Sequence, residues 1–154
     1  MRKEEPLNLK KEVFQPVVER IKGRSESLKP LKGLGRIGLE GWFKVEIIAA
    51  LRDKVITPPQ RDLSGRRIHQ PDLLLKGNQP IELKAVNCKF EEGWVKDGMK
   101  YGHPCLFLYR VEDKTMLTNQ ISLLKRENIR NVGCDFFDAE GTWVIGMVKP
   151  TNRK

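Results

Sequence analysis

The chain has 154 residues, 39% hydrophobic and 32% charged, which fits a single globular domain with a real core and excludes a disordered chain. No apolar run approaches the roughly 20 residues that a membrane-spanning helix needs, and Met1-Arg2-Lys3-Glu4-Glu5-Pro6 lacks the apolar stretch of a secretory signal, so the sequence reads as cytoplasmic and off the membrane. Against 20 acidic residues stand 29 basic ones, a net charge of +9 that makes a polyanion such as nucleic acid the expected partner.

Residues 7 to 22 place Leu9, Val13, Phe14, Val17, Val18 and Ile21 at helical spacing, with Asn8 as a cap, Pro16 as a kink or restart and Gly23 as the stop. Residues 24 to 38 are rich in Gly, Pro and basic side chains and aperiodic, which predicts a loop. Gly33, Gly35 and Gly38 spell G-x-G-x-x-G there, but a dinucleotide site needs a buried strand before the glycines, and SESLKPLK does not provide one. No nucleotide cofactor is expected.

Residues 38 to 53 (GLEGWFKVEIIAALRD) predict the strongest helix. Glu40 and Lys44, four apart, read as an exposed ion pair. Glu46 falls within the face made by Leu39, Trp42, Phe43, Ala49 and Ala50. A carboxylate there is costly unless it is paired, protonated or bound to a metal.

A short strand is predicted at 55 to 57 before Pro58-Pro59, then strands at 67 to 75 and 80 to 86 joined by a turn at Lys76-Gly77-Asn78-Gln79. A helix is predicted at 91 to 101, a strand of continuous apolar character at 105 to 111, a helix at about 117 to 128, and strands near 132 to 138 and 142 to 149 around Ala139-Glu140-Gly141. The expected domain is therefore one unit over 1–154: an α/β core at about 38–111, an N-terminal helix at about 7–22 and an appended helix and hairpin at about 116–150.

Chemistry has few sources. Cys88, Cys105 and Cys134 form no C-x-x-C pair and read as reduced thiols, and His69 and His103 are the only histidines, His103 before Pro104 reading as a turn residue. Carboxylates and lysines remain. Glu82 and Lys84, two apart on a strand, project from one face while Ile81, Leu83 and Ala85 take the other. Asp72 reaches that charged face only in one register. A two-residue turn at Gly77-Asn78 pairs residue 73 with 82 and sends Asp72 to the wrong side, whereas a three-residue turn at 76 to 78, with Asn78 left-handed beside a bulge, pairs 72 with 82. The plain alternative is a cross-strand salt bridge on a solvated sheet, worth at most about 1 kcal/mol.

Pro71-Asp72, nine intervening residues, and Glu82-Leu83-Lys84, with Glu46 on the preceding helix, resemble the PD-(D/E)xK phosphodiesterase superfamily. The resemblance implies a restriction-endonuclease-like fold, a mixed central sheet flanked by helices in the order helix, three strands, helix, strand. It implies a Mg²⁺-dependent endonuclease on DNA, double-stranded or branched, with Mn²⁺ as a substitute ion. Asp72 and Glu82 would hold the metal with the Leu83 carbonyl, Glu46 would assist directly or through water, and Lys84 would act on the attacking water or the transition state. Lys96 and Lys100, one turn apart, and Arg66, Arg67 and Lys89 around the hairpin are the expected phosphate contacts. A noncatalytic nucleic-acid-binding module and an assembly protein that forms a homodimer through its C-terminal hairpin are the rivals.

Overall fold

A computed structural model of the chain describes residues 7–31, 35–56, 71–86, 102–111, 129–138 and 142–150. The expected helices at 91 to 101 and 117 to 128, and the 139 to 141 turn, lie outside the described residues, as does Cys88.

The N-terminal helix starts as predicted at Asn8, whose side chain accepts from the Lys11 N–H at 3.0 Å. One wide π-helical turn, Leu9–Phe14, leads into α1, Gln15–Gly23, with Pro16 as its second residue, where it donates no N–H to the turn before it. Val13, Phe14, Val17, Val18 and Ile21 are buried along one stripe. The loop expected next is instead largely helical. A 3₁₀ turn at Ser25–Ser27 runs into α2, Leu28–Leu31, and α3 spans Gly35–Ala50, starting three residues earlier than its pattern suggests. Leu28 is buried in the core, and that tertiary contact outweighs the poor helix propensity of the Gly- and Pro-rich segment. Among the described residues no strand precedes the glycines, and Gly35 and Gly38 lie within α3. The buried row of α3 is Leu39, Phe43 and Ile47, and Leu51 continues the four-residue spacing just past its end.

The described strands β1 (Val55–Ile56), β2 (Leu73–Leu75), β3 (Gln79–Val86), β4 (Cys105–Val111), β5 (Ile129–Asp138) and β6 (Thr142–Pro150) form one mixed six-stranded sheet in the order β1-β2-β3-β4-β6-β5. Only β3 and β4 run parallel. The chain is thus α/β, as expected. Along β3 and β4, Ile81, Leu83, Ala85, Leu106 and Leu108 join Trp143, Ile145 and Met147 of β6 in a core shared with α1 and α3. The opposite face carries Glu82, Lys84, Cys105, Phe107 and Tyr109, the last three also buried.

The N-terminal helix is seated on β5 at one close approach. A Cβ on Gly133 would overlap Cε1 of the Phe14 ring, so glycine is what admits the ring there. Lys22 Nζ, 2.8 Å from Asp135 Oδ1, ties α1 to the same strand.

Candidate active site

The turn decides the site. Leu73, Leu74 and Leu75 pair with Ile81, Pro80 and Gln79, leaving the three residues Lys76, Gly77 and Asn78 as the connection. Gly77 and Asn78 both have positive φ, 77° and 58°. This is the three-residue turn, and the pairing extended by one step puts Asp72 opposite Glu82. The expected strand at 67 to 75 is shorter in the described region, where β2 begins only at Leu73 and Pro71 and Asp72 are irregular. Pro71 cannot donate to a ladder.

That irregularity has a use. Where β2 leaves the ladder, the Leu83 N–H would lose its acceptor, and Asp72 Oδ2 takes it at 2.8 Å. A strand residue's N–H and C=O leave on the same side, so the Leu83 carbonyl also points toward the β2 side, where Asp72 stands. The Glu82 N–H points the other way and donates to the Pro104 carbonyl at 2.8 Å, at the start of the β3–β4 pairing. Glu82 is 7% exposed and lies in register with the buried Cys105, with Lys84 two residues on and half-buried on the same face.

The acids act on each other. Burial pushes the Asp72 carboxyl above its ordinary 3.8, and a hydrogen bond with Glu82 and that residue's charge push further, while the Leu83 N–H and the Lys44 ammonium pull back. Asp72 is exposed as a residue, yet its carboxyl group is partly buried against β3. The Cys105 thiol is likewise pushed up, by burial first and then by the charge of Glu82, with Asp72 and Glu40 adding and Lys84 opposing. Asp72, Glu82, Lys84 and Glu40 therefore share one electrostatic neighbourhood around Cys105. Cys105 and Cys134 are free thiols, as expected, and burial and Asp135 push Cys134 up to about 11.

Three residues differ from their expected places. Glu46, expected to assist the acids, holds α1 instead: the Arg20 Nε–H donates to its Oε2 at 2.6 Å, and Arg24 Nε lies 3.8 Å from the same oxygen. Of the three escapes open to a carboxylate on that face, the chain uses pairing. Glu40, expected as a plain surface pair, is the α3 acid whose charge reaches the Cys105 neighbourhood. Six residues separate the two, which turns them to different sides of the helix. His103, expected as a turn residue, reaches into the site, with Nδ1 3.0 Å from Glu82 Oε1.

Arg66, Arg67, Lys89, Lys96 and Lys100, the expected phosphate contacts, lie outside the described residues. Among the described residues no three His, Cys, Asp or Glu side chains are grouped to hold a metal ion. The donors at hand are two carboxylates and a main-chain carbonyl, all oxygen. Such a set suits Mg²⁺, which keeps several waters and takes one or two carboxylates from the protein. No helix among the described residues is long and apolar enough to cross a membrane. No protein-family profile, curated protein or solved structure matches the chain.

Proposed function

We propose that the protein is a Mg²⁺-dependent endonuclease of the PD-(D/E)xK type, with a restriction-endonuclease-like core, that hydrolyses phosphodiester bonds in DNA. The observation that carries the reading is the register: Asp72 opposite Glu82, bound to the Leu83 N–H, with Lys84 on the Glu82 face. Two carboxylates, Asp72 and the buried Glu82, are set against each other here, and a bound cation would relieve that crowding. The order α3, β1, β2, β3, β4, with β4 parallel to β3, supports the reading, the helix expected between β3 and β4 lying outside the described residues.

In this reading Asp72, Glu82 and the Leu83 carbonyl hold the cation. When bound, a divalent ion supplies a Lewis acid for the phosphoryl oxygen and a water of lowered pKa. Lys84 orients the attacking water or takes up charge developing on the phosphorane. The net charge of +9 draws the DNA backbone to the domain. Glu46 is left out of the chemistry and joins α1 to α3.

Purified protein incubated with supercoiled, linear and branched DNA, and with single-stranded RNA, tests the proposal. Cleavage of DNA with Mg²⁺ or Mn²⁺, none in EDTA, and none by Glu82→Ala despite retained DNA binding is the expected result. Cleavage in EDTA, or an active Glu82→Ala protein, overturns it. Salt-sensitive binding without cleavage under any metal selects the noncatalytic module.

A further inference from the structure

Glu82 is held from two sides by the segment that leads into β4. Its N–H donates to the Pro104 carbonyl at 2.8 Å, and its Oε1 meets His103 Nδ1 at 3.0 Å. Gly102 makes this possible. Its φ of 77° lies in the left-handed region, and a Cβ there would meet nothing within 4 Å, so the requirement for glycine comes from the backbone angle and not from space. The turn at Gly102 delivers the imidazole and the Pro104 carbonyl to the same residue. Both partners of the side-chain contact are sheltered, His103 at 23% and Glu82 at 9% side-chain exposure. An ionised carboxylate offers only lone pairs, so against ionised Glu82 the tautomer that fits this contact carries its hydrogen on Nδ1 and donates.

We propose that His103 is a positioning residue for the metal site: its Nδ1–H fixes the Glu82 carboxylate in the orientation that, together with Asp72, receives the cation. The inference rests on the nuclease reading of the same pocket and adds a residue that the PD-(D/E)xK pattern does not contain. His103 does not touch the ion. It acts through Glu82, as outer hydrogen-bond partners of metal ligands do, and removal of such partners typically weakens metal affinity about 10- to 100-fold. The free carboxylate would otherwise sample other rotamers and lean on Asp72, with which it already shares a hydrogen bond.

The test is a Mn²⁺ titration by calorimetry on the full chain, comparing wild type, His103→Ala and His103→Asn. The Asn amide reaches the position of Nδ1 and keeps a donor. Weakened Mn²⁺ binding of about 10- to 100-fold in His103→Ala, restored for the most part in His103→Asn, is expected. DNA KM should stay near wild type while the metal concentration needed for half-maximal cleavage rises. A wild type that binds Mn²⁺ and a His103→Ala protein that binds it equally well overturn this inference alone. A wild type that binds no Mn²⁺ overturns both the inference and the nuclease reading. Should His103→Ala fail to fold, long-range ¹H–¹⁵N spectra of wild type read the tautomer directly: a proton on Nδ1 supports the proposal, and a bare Nδ1 facing Glu82 overturns it.

Discussion

The α1–α3 ion pair gives the sharpest division between structural and chemical acids. Glu46 is 11% exposed at its side chain and Arg20 34%, with 2.6 Å between Oε2 and Nε. Exposed pairs contribute about 0.2–1 kcal/mol, whereas breaking a fully buried pair costs about 3–5 kcal/mol. This one, half open on the arginine side, should cost about 1–3 kcal/mol when Glu46→Ala removes the carboxylate. For a chain of this size that lowers Tm by roughly 2–12 °C. Arg20→Ala should cost less, because Arg24 Nε, 3.8 Å from the same oxygen, can close on Glu46. Thermal and urea unfolding of both single variants and the double variant, in EDTA, measure the coupling, expected at about 1 kcal/mol or more against the roughly 0.3–0.5 kcal/mol scatter of independent sites. Glu46→Gln should keep metal-dependent cleavage once folded. Additive single effects, or a Glu46→Gln protein of unchanged stability that has lost metal binding, would return Glu46 to the metal acids and refute the reasoning.

Gly133→Ala should lower stability by about 1–3 kcal/mol through overpacking against the Phe14 ring, and Phe14→Leu should relieve part of the loss; equal costs in both backgrounds, read by chemical denaturation, would contradict the close approach. DNA affinity should fall steeply with salt, and Lys96→Ala with Lys100→Ala should flatten the log–log slope by up to roughly 2 units; an unchanged slope removes both lysines from the phosphate contacts. Because the folded Asp72 carboxyl lies above its ordinary 3.8, its contribution to stability is fully present below that value and is lost as pH rises through the folded one. The metal-free stability advantage of Asp72→Asn over wild type should therefore grow with pH and vanish in acid, as measured by melts across a pH series; an advantage that shrinks as pH rises would reverse the sign of the argument.

The register that sets Asp72 opposite Glu82 could be read from the sequence because face and turn constrain each other. A slip of one residue would turn Glu82 and Lys84 toward the helices in place of Ile81, Leu83 and Ala85, so only one loop length keeps Asp72 on their side, and Asn78 tolerates the positive φ that this loop needs. The segment before α3 could not be read so, since Gly33, Gly35 and Gly38 argue locally for breaks while the burial of Leu28 and Leu39 is tertiary. Glu46 was legible as an acid needing a partner but not as the partner of Arg20, 26 residues upstream on a helix whose docking the sequence does not state. His103 stayed hidden for a similar reason. It meets Glu82 only because Glu82 lies beside Cys105 in the parallel β3–β4 pairing, and parallel register has no turn to announce it. The signal was a titratable side chain two residues before a strand that neighbours the motif strand.

The central claim, that Asp72 and Glu82 form an ion-binding active site, is tested most directly by paired thermal melts of wild type and Asp72→Asn at neutral pH, with EDTA and with millimolar Mg²⁺. Asparagine can still accept the Leu83 N–H while removing the charge that crowds Glu82. The mutant should melt higher than wild type in EDTA, and Mg²⁺ should narrow or reverse the gap by stabilising the wild-type site alone. A mutant less stable in EDTA, with neither protein responding to Mg²⁺, would contradict the active-site account and return the three residues to a surface ion pair.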